Sequence, residues 1–264
     1  MYVLETKALT RRFGGLTAVD AIDITVQEGE IFGLLGPNGA GKSTALKMLT
    51  TLLPPTSGIA TVAGFDIVHQ AASVRRVIGY VPQLLSADGA LTGYENLLMF
   101  SKLYDIPKAE RETRIEQSLE LVQLGNAAGK LVNTYSGGMI RRLEIAQSML
   151  HRPAVLFLDE PTVGLDPLAR NSVWEHIQQL KSRYGTTIVL TTHYMEEADV
   201  LCNRVAIMHQ GKLATIGSPM ELKASLGGDA TLDDVFAHFA GAELESGGSY
   251  REVSRTRRTA RRVG

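Results

Sequence analysis

The fold of this chain is decided by the stretch Gly36-Pro37-Asn38-Gly39-Ala40-Gly41-Lys42-Ser43-Thr44. It fits the phosphate-loop pattern G-x-x-x-x-G-K-[ST], whose glycines let the backbone curl until consecutive N–H groups point at phosphate oxygens. The apolar run Ile31–Leu35 enters the loop as a buried strand, and residues 45–50 continue as a helix whose N-terminal dipole favours anions. Lys42 supplies a positive charge for the β- and γ-phosphates, and Ser43 offers a hydroxyl to Mg²⁺. The stretch therefore predicts a site for the phosphates of a nucleotide.

A second apolar run, residues 155–158, ends in two acids, Asp159 and Glu160. An acid at the carboxyl end of a parallel strand faces the ligand crevice of an open α/β sheet. Asp159 is predicted to hold Mg²⁺ through water, together with Ser43. Glu160 is the next residue and points elsewhere, so it is predicted to polarise a water for in-line attack on the γ-phosphate.

Four short apolar runs predict a parallel sheet that is covered on both faces, because the strands of such a sheet are apolar almost throughout. They are residues 31–35, 77–81, 155–158 and 187–190. Five other runs look more alternating and predict an added antiparallel layer: residues 2–9, 22–26, 59–62, 205–209 and 213–216. The predicted fold class is α/β, a P-loop core with a mainly parallel sheet, an antiparallel β layer and an α-helical insertion.

The insertion is predicted over about residues 91–151, where three helices and no strand are expected. Thr92 begins a capping box for the first helix, residues 109–124 form the second, and Ser136 begins the third. Thr231 caps a last short helix that runs to Ala240. We predict one domain over residues 1–240 and a basic, disordered tail over residues 241–264, which are rich in Gly, Ser and Arg.

Composition excludes several classes of protein. The chain has 264 residues, of which 44% are hydrophobic and 21% charged, so it is not an intrinsically disordered chain. Its longest apolar runs are far shorter than the roughly 18 residues that a membrane-spanning helix needs, and residues 1–12 show no secretory signal. The single cysteine, Cys202, excludes an internal disulfide and fits a reducing compartment. The net charge of −1 does not indicate a nucleic-acid partner.

A further motif, Tyr135-Ser136-Gly137-Gly138-Met139, begins a predicted helix and is a second phosphate-binding device, because helix N-termini attract anions. It resembles the signature motif of the ATP-binding cassette (ABC) family, and the resemblance covers about residues 2–240. Tyr135 and Met139 depart from the common Leu-Ser-Gly-Gly-Gln form, whereas the Ser-Gly-Gly core is kept. One chain cannot aim both devices at one phosphate if they lie on opposite faces. The resemblance implies a head-to-tail homodimer with two ATP molecules between the two copies.

Other residues match landmarks of that family. Gln83 resembles the Q-loop glutamine, which touches Mg²⁺ and the attacking water, and His193 resembles the H-loop histidine, which contacts the γ-phosphate. Asp166 resembles the D-loop aspartate, which crosses the dimer interface. Phe13 stands where the family places an aromatic ring, more often Tyr, that stacks on adenine. With the motif residues, the resemblance implies the catalytic set Lys42, Gln83, Glu160 and His193 and the Mg²⁺ ligands Ser43, Gln83 and Asp159.

The Tyr-Ser-Gly-Gly-Met form and the stretch Leu232-Asp233-Asp234-Val235-Phe236 resemble the daunorubicin/doxorubicin-resistance branch of bacterial and archaeal exporters. In that branch the ATPase and the permease are separate polypeptides. The resemblance implies a peripheral subunit at the cytoplasmic face of the cell membrane that hydrolyses ATP. It would power export of a drug, lipid or other small molecule through a separately encoded permease.

Two alternatives stay open at this point. A non-transport ABC ATPase acting on nucleic acid or the ribosome is disfavoured. DNA-repair relatives in the ABC family carry long coiled coils between the Q-loop and the signature motif, whereas only 52 residues separate Gln83 from Ser136 here. Residues 250–264 carry six arginines and one acid, Glu252, which gives them a net charge of +5. They form either a solvated end or a segment that is attracted to the anionic cytoplasmic leaflet.

Overall fold

The structure, a computed structural model, describes residues 1–227 and 229–241. Its strands are β1 (Tyr2–Phe13), β2 (Leu16–Ile22), β3 (Thr25–Gln27), β4 (Ile31–Leu35), β5 (Ser57–Val62), β6 (Phe65–Asp66), β7 (Ile78–Val81), β8 (Val155–Asp159), β9 (Thr187–Thr192), β10 (Arg204–His209) and β11 (Lys212–Gly217). Its helices are α1 (Lys42–Leu49), α2 (Ala71–Val77), α3 (Gly93–Leu103), α4 (Lys108–Leu121), α5 (Gly137–Met149), α6 (Pro167–Tyr184), α7 (Met195–Leu201), α8 (Pro219–Ala224) and α9 (Leu232–Gly241). None of the helices in these residues is long and apolar enough to span a bilayer.

The central sheet has six strands in the order β11-β10-β4-β9-β8-β7, and every neighbouring pair is parallel except β10 with β11. Every residue of β4, β8 and β9 is buried. Alternate side chains of a strand point to opposite faces, so β4 sends Ile31 and Leu35 into one hydrophobic core and Phe32 and Leu34 into the other. The prediction of a parallel sheet covered on both faces is confirmed.

A smaller antiparallel sheet has the order β2-β1-β5-β6, with β3 also paired to β1. Its buried side chains, among them Leu4 and Val62, share the second core with Leu46 of α1. The antiparallel layer predicted from residues 2–9, 22–26 and 59–62 is therefore confirmed. The run 22–26 is divided, however, because β2 ends at Ile22 and a separate strand, β3, begins at Thr25.

The prediction that residues 205–209 and 213–216 belong to the antiparallel layer is wrong. β10 lies in the central sheet, parallel to β4, and its residues from Val205 to Met208 are fully buried. Such a strand is covered on both faces, as is usual for parallel strands. β11 extends the edge of the same sheet, since a tight turn at Gln210 and Gly211, both with positive φ, pairs it back on β10.

Three helices, α3 to α5, lie between β7 and β8 where the insertion was predicted. The Thr92 capping box is present, and Ser136 caps α5 by accepting a hydrogen bond from the Met139 N–H at 3.3 Å. α4 ends at Leu121, three residues before the predicted end, and Gln123 then takes a φ of +54°. The boundary between a domain over 1–240 and a tail over 241–264 stays a prediction, because residues 242–264 lie outside the described residues.

Candidate nucleotide site

The phosphate loop runs from the end of β4 to the start of α1 and needs glycine at both of its ends. A Cβ added at Gly36 would overlap the carbonyl oxygen of Met208, and one added at Gly41, where φ is +104°, would overlap the carbonyl oxygen of Ala18. The loop therefore passes tightly between its neighbours and opens on one side. Residues 38–44 line a cavity of about 860 Å³ on that side, which is within the size range of small-molecule sites.

Lys42 is the buried cation at the base of this cavity. Its Nζ donates hydrogen bonds to the carbonyl oxygens of Gly36 (2.8 Å) and Pro37 (3.1 Å), and it lies 3.3 Å from Oε1 of Glu160. Burial lowers the pKa of Lys42, while the charges of Glu160 and Asp159 act in the opposite direction. The ammonium group is thus held by two carbonyls and a carboxylate where the phosphate loop begins.

Asp159 and Ser43 meet beside the loop as predicted. Ser43 Oγ donates to Asp159 Oδ1 at 2.8 Å, and Thr191 Oγ1 donates to the same oxygen at 2.6 Å. A hydroxyl and a carboxylate are the hard oxygen ligands that Mg²⁺ prefers, so these donors fit the predicted metal. Thr191 belongs to the neighbouring strand β9, and the sequence reasoning did not identify it.

The carboxylate of Glu160 contacts the side chains of three other residues that were predicted to be catalytic: Lys42, Gln83 and His193. Its Oε2 accepts a hydrogen bond from Gln83 Nε2 at 3.2 Å and lies 3.3 Å from His193 Nδ1, while Oε1 faces Lys42. The backbone of Glu160 has a φ of +48°, a conformation that costs a non-glycine residue of order 1 kcal/mol. Its N–H donates to both the carbonyl (3.1 Å) and the hydroxyl (2.9 Å) of Thr191. The surroundings therefore hold this carboxylate in one place.

Phe13 ends β1 at the mouth of the cavity. It is one of the lining residues and is 45% exposed, and the guanidinium of Arg11 lies 4.5 Å from the centre of its ring. An exposed ring at the edge of a phosphate site is consistent with stacking on a base. That role stays a prediction.

The structure does not bring the signature residues into this cavity. Ser136 and Gly137 are exposed at the N-terminus of α5, and Asp166 is exposed at the N-terminus of α6. In the part of the chain that the structure describes, none of them borders the cavity, and neither does Gly138. The two helix starts are neighbours, because a Cβ added at Gly138 would come within 2.9 Å of the Cβ of Ala169.

One buried acid, Glu197, has no signal in the sequence. It lies on α7, four residues after His193, and it is fully buried. Its Oε1 accepts hydrogen bonds from Thr162 Oγ1 (2.6 Å) and Trp174 Nε1 (2.9 Å). Thr162 follows Glu160 by two residues, so this network ties the segment after Glu160 to the helix after His193.

The chain is similar to known proteins of one family. The family model described as ABC transporter matches residues 19–163. The chain is 46% identical over 224 residues to the daunorubicin/doxorubicin resistance ATP-binding protein DrrA of Streptomyces peucetius. The aligned region covers 85% of this chain and 68% of that protein.

Two solved structures have the same fold. An ATP-binding subunit of an ABC transporter superposes with a TM-score of 0.79 and 28% identity, over 90% of this chain and 99% of that chain. A dimeric ATP-binding cassette in a post-hydrolysis state, bound to ADP and Pi, gives a TM-score of 0.71 and 26% identity, over 81% of this chain and 98% of that chain. The chain therefore belongs to the ABC transporter family, as one of its ATP-binding and ATP-hydrolysing members.

Proposed function

We propose that this chain is the ATP-binding subunit of an ABC exporter, and that hydrolysis at its phosphate loop drives a separately encoded permease. The observation that carries the proposal is the convergence of Lys42, Gln83 and His193 on the carboxylate of Glu160 beside the loop. A buried carboxylate that adjoins a phosphate site and is oriented by three side chains has the arrangement of a general base.

The residues divide the chemistry among them. The loop N–H groups and Lys42 bind the phosphates, and an incoming γ-phosphate oxygen replaces the Glu160 carboxylate beside Lys42. Glu160 then accepts a hydrogen bond from the attacking water, and Gln83 and His193 orient the reacting groups. Ser43, Asp159 and Gln83 would hold Mg²⁺, which neutralises charge on the phosphates when it is bound.

The exposed N-terminus of α5 supports a head-to-tail dimer. Ser136 and Gly137 leave the N-terminus of α5 open to solvent, and the dipole of that helix favours an anion there. Asp166 is exposed at the neighbouring start of α6. We infer that this surface contacts the ATP bound to a second copy, so that two ATP molecules lie between the two chains. A dimeric cassette with ADP and Pi is among the similar structures.

This proposal is tested by Ser136→Asp in a Glu160→Gln background. Asp, Asn and Ser cap helices about equally well, so α5 keeps its start while a carboxylate is placed against the partner's γ-phosphate. Light scattering with Mg-free ATP should show a dimer for Glu160→Gln and for its Ser136→Asn combination, and a monomer for Ser136→Asp. All three variants should still bind ATP. Equal dimerisation of the Asp and Asn variants would contradict the arrangement.

We further propose that the subunit lies at the cytoplasmic face of the membrane, held by the permease. The similarity to an ATP-binding subunit of an ABC transporter and to a drug-resistance protein supports this placement. Which small molecule is exported depends on the permease, because function is carried by sites rather than by the shared fold. Membranes from cells that express the full chain should retain it after a high-salt wash, and its complete release by salt would contradict a permease partner.

The arginine-rich residues 250–264 are proposed to add an attraction to anionic lipid, although they lie outside the described residues. Six arginines and one acid give +5, and each Arg near an anionic surface contributes on the order of 1 kcal/mol. Deleting residues 249–264 should lower co-sedimentation with phosphatidylserine liposomes at low salt, and high salt should abolish the difference. Unchanged co-sedimentation at low salt would rule the attraction out.

A further inference from the structure

Helix α5, which begins at the signature residue Ser136, carries a row of buried polar side chains. They repeat at helical spacing, and each is at most 4% exposed: Arg141, Glu144, Gln147 and Ser148. Together they bind the stretch from Tyr80 in β7 to Asn96 in α3, which contains Gln83. Ser148 donates to the carbonyl of Tyr80, and Gln147 donates to Asn96, whose side chain holds both backbone groups of Asp88.

Arg141 binds the backbone carbonyl groups of two successive residues, Pro82 and Gln83. Its Nη1 donates to the carbonyl oxygen of Pro82 at 2.6 Å, and its Nη2 donates to the carbonyl oxygen of Gln83 at 2.8 Å. A guanidinium is planar and presents its donors in a fixed fork, so two successive carbonyls bound to it are fixed in direction as well as in distance. The backbone from which the Gln83 side chain leaves is therefore set by Arg141.

Glu144 completes the grip one helical turn later. Its Oε2 lies 3.0 Å from Arg141 Nη1, and its Oε1 accepts hydrogen bonds from the backbone N–H and the hydroxyl of Ser86. Leu84, between the two anchored ends, is 82% exposed. The loop is thus held at Pro82–Gln83 and again at Ser86, and the residues between them face solvent.

Stability alone is a weak reason for such a pair. Replacing a buried ion pair by apolar side chains of similar volume is often neutral or stabilising for the fold. The hydrogen bonds of this pair to the backbone all go to one loop, which indicates a role in positioning that loop. That loop delivers Gln83 to Glu160 at 3.2 Å. Two hydrogen bonds from Arg141, two to Glu144 and the ion pair between them therefore connect helix α5 to the loop that places Gln83 beside the Glu160 carboxylate.

We propose that Arg141, seated by Glu144, is a positioning residue for ATP hydrolysis: it orients Gln83 against Glu160 and makes Gln83 and Ser136 move as one unit. This inference rests on the proposed function, in which Gln83 orients the reacting groups and Ser136 contacts the ATP bound to a second copy. A displacement of the signature helix, when its Ser136 meets the partner's ATP, then changes the position of Gln83 directly.

The test is a double-mutant cycle on steady-state ATPase activity of the full chain. Arg141→Lys keeps the charge but loses the fork, so kcat should fall about 10- to 100-fold, as expected for a misplaced reacting group, while KM for ATP changes less than about twofold. Gln83→Ala should lower kcat similarly. In the double variant Arg141→Lys should cause no further loss, because its effect passes through Gln83.

Arg142→Lys is the matched control, since Arg142 is the next residue on α5 and donates instead to the carbonyl of Val122. It should leave kcat and KM near the wild-type values. If Arg141→Lys does not fold, Arg141→Met with Glu144→Leu removes both charges together and should give the same fall in kcat.

The outcomes separate this inference from the proposed function. A wild-type chain that does not hydrolyse ATP would overturn both. A wild-type chain that is active, with kcat unchanged by Arg141→Lys, would overturn the inference alone. An unchanged kcat in Gln83→Ala would overturn the inference and also the role of Gln83 in the proposed function. Losses that add in the double variant would also overturn it, because they would show that Arg141 acts independently of Gln83.

Discussion

Glu160→Gln abolishes steady-state ATP hydrolysis and leaves ATP binding intact; this is the expected result for the residue on which the site converges. A glutamine has nearly the same shape, and its amide oxygen can still accept the hydrogen bond from Gln83. It cannot take a proton from water, and loss of a positioned general base costs about 10²- to 10⁴-fold in rate. The measurements are kcat from phosphate release and the affinity for ATP from calorimetry.

The same variant should accumulate the ATP-bound dimer, because ATP binds the closed state better and hydrolysis no longer reopens it. Glu196→Gln is the matched control, as Glu196 is an exposed acid on α7, near His193 in the chain. It should hydrolyse ATP at the wild-type rate and show no ATP-dependent dimer once the ATP is consumed. A Glu160→Gln protein with wild-type kcat would show that the base is another group.

Lys42→Ala should remove most of the affinity for ATP. Lys42 is 4% exposed, and truncating one partner of a buried charge pair costs about 2–5 kcal/mol. That range corresponds to more than about tenfold in the dissociation constant. Removing the ammonium also leaves the Glu160 carboxylate without the cation at 3.3 Å, so the melting temperature should fall. Calorimetry with ATP and thermal unfolding measure the two effects.

Two further variants separate lost binding from lost stability. Lys42→Ala combined with Glu160→Gln removes the pair together, so its melting temperature should recover while the affinity for ATP stays low. Lys47→Ala changes an exposed lysine on the same helix and should alter neither quantity. Wild-type affinity in Lys42→Ala would mean that the loop backbone alone binds the phosphates.

Some features of the site were predictable because they depend on short stretches of chain. The caps at Thr92 and Ser136 and the apolar strands β4 and β8 each act over a few residues. The error over residues 205–209 has the opposite origin. Those residues pair with β4, more than 150 positions earlier, and no local pattern states which strand will be the neighbour.

By itself, the sequence determined the phosphate loop, its acids, the α/β class and the three inserted helices, since backbone conformation, helix capping and apolar periodicity are encoded locally. Only the tertiary structure decided that Gln83 and His193 both contact the carboxylate of Glu160, because Gln83 and Glu160 are 77 positions apart in the chain. It alone showed that Glu197, Arg141 and Glu144 are buried, because an acid or an arginine on a helix is usually solvated. Burial of a charged group depends on the partners that the folded chain brings to it, and these partners come from distant segments.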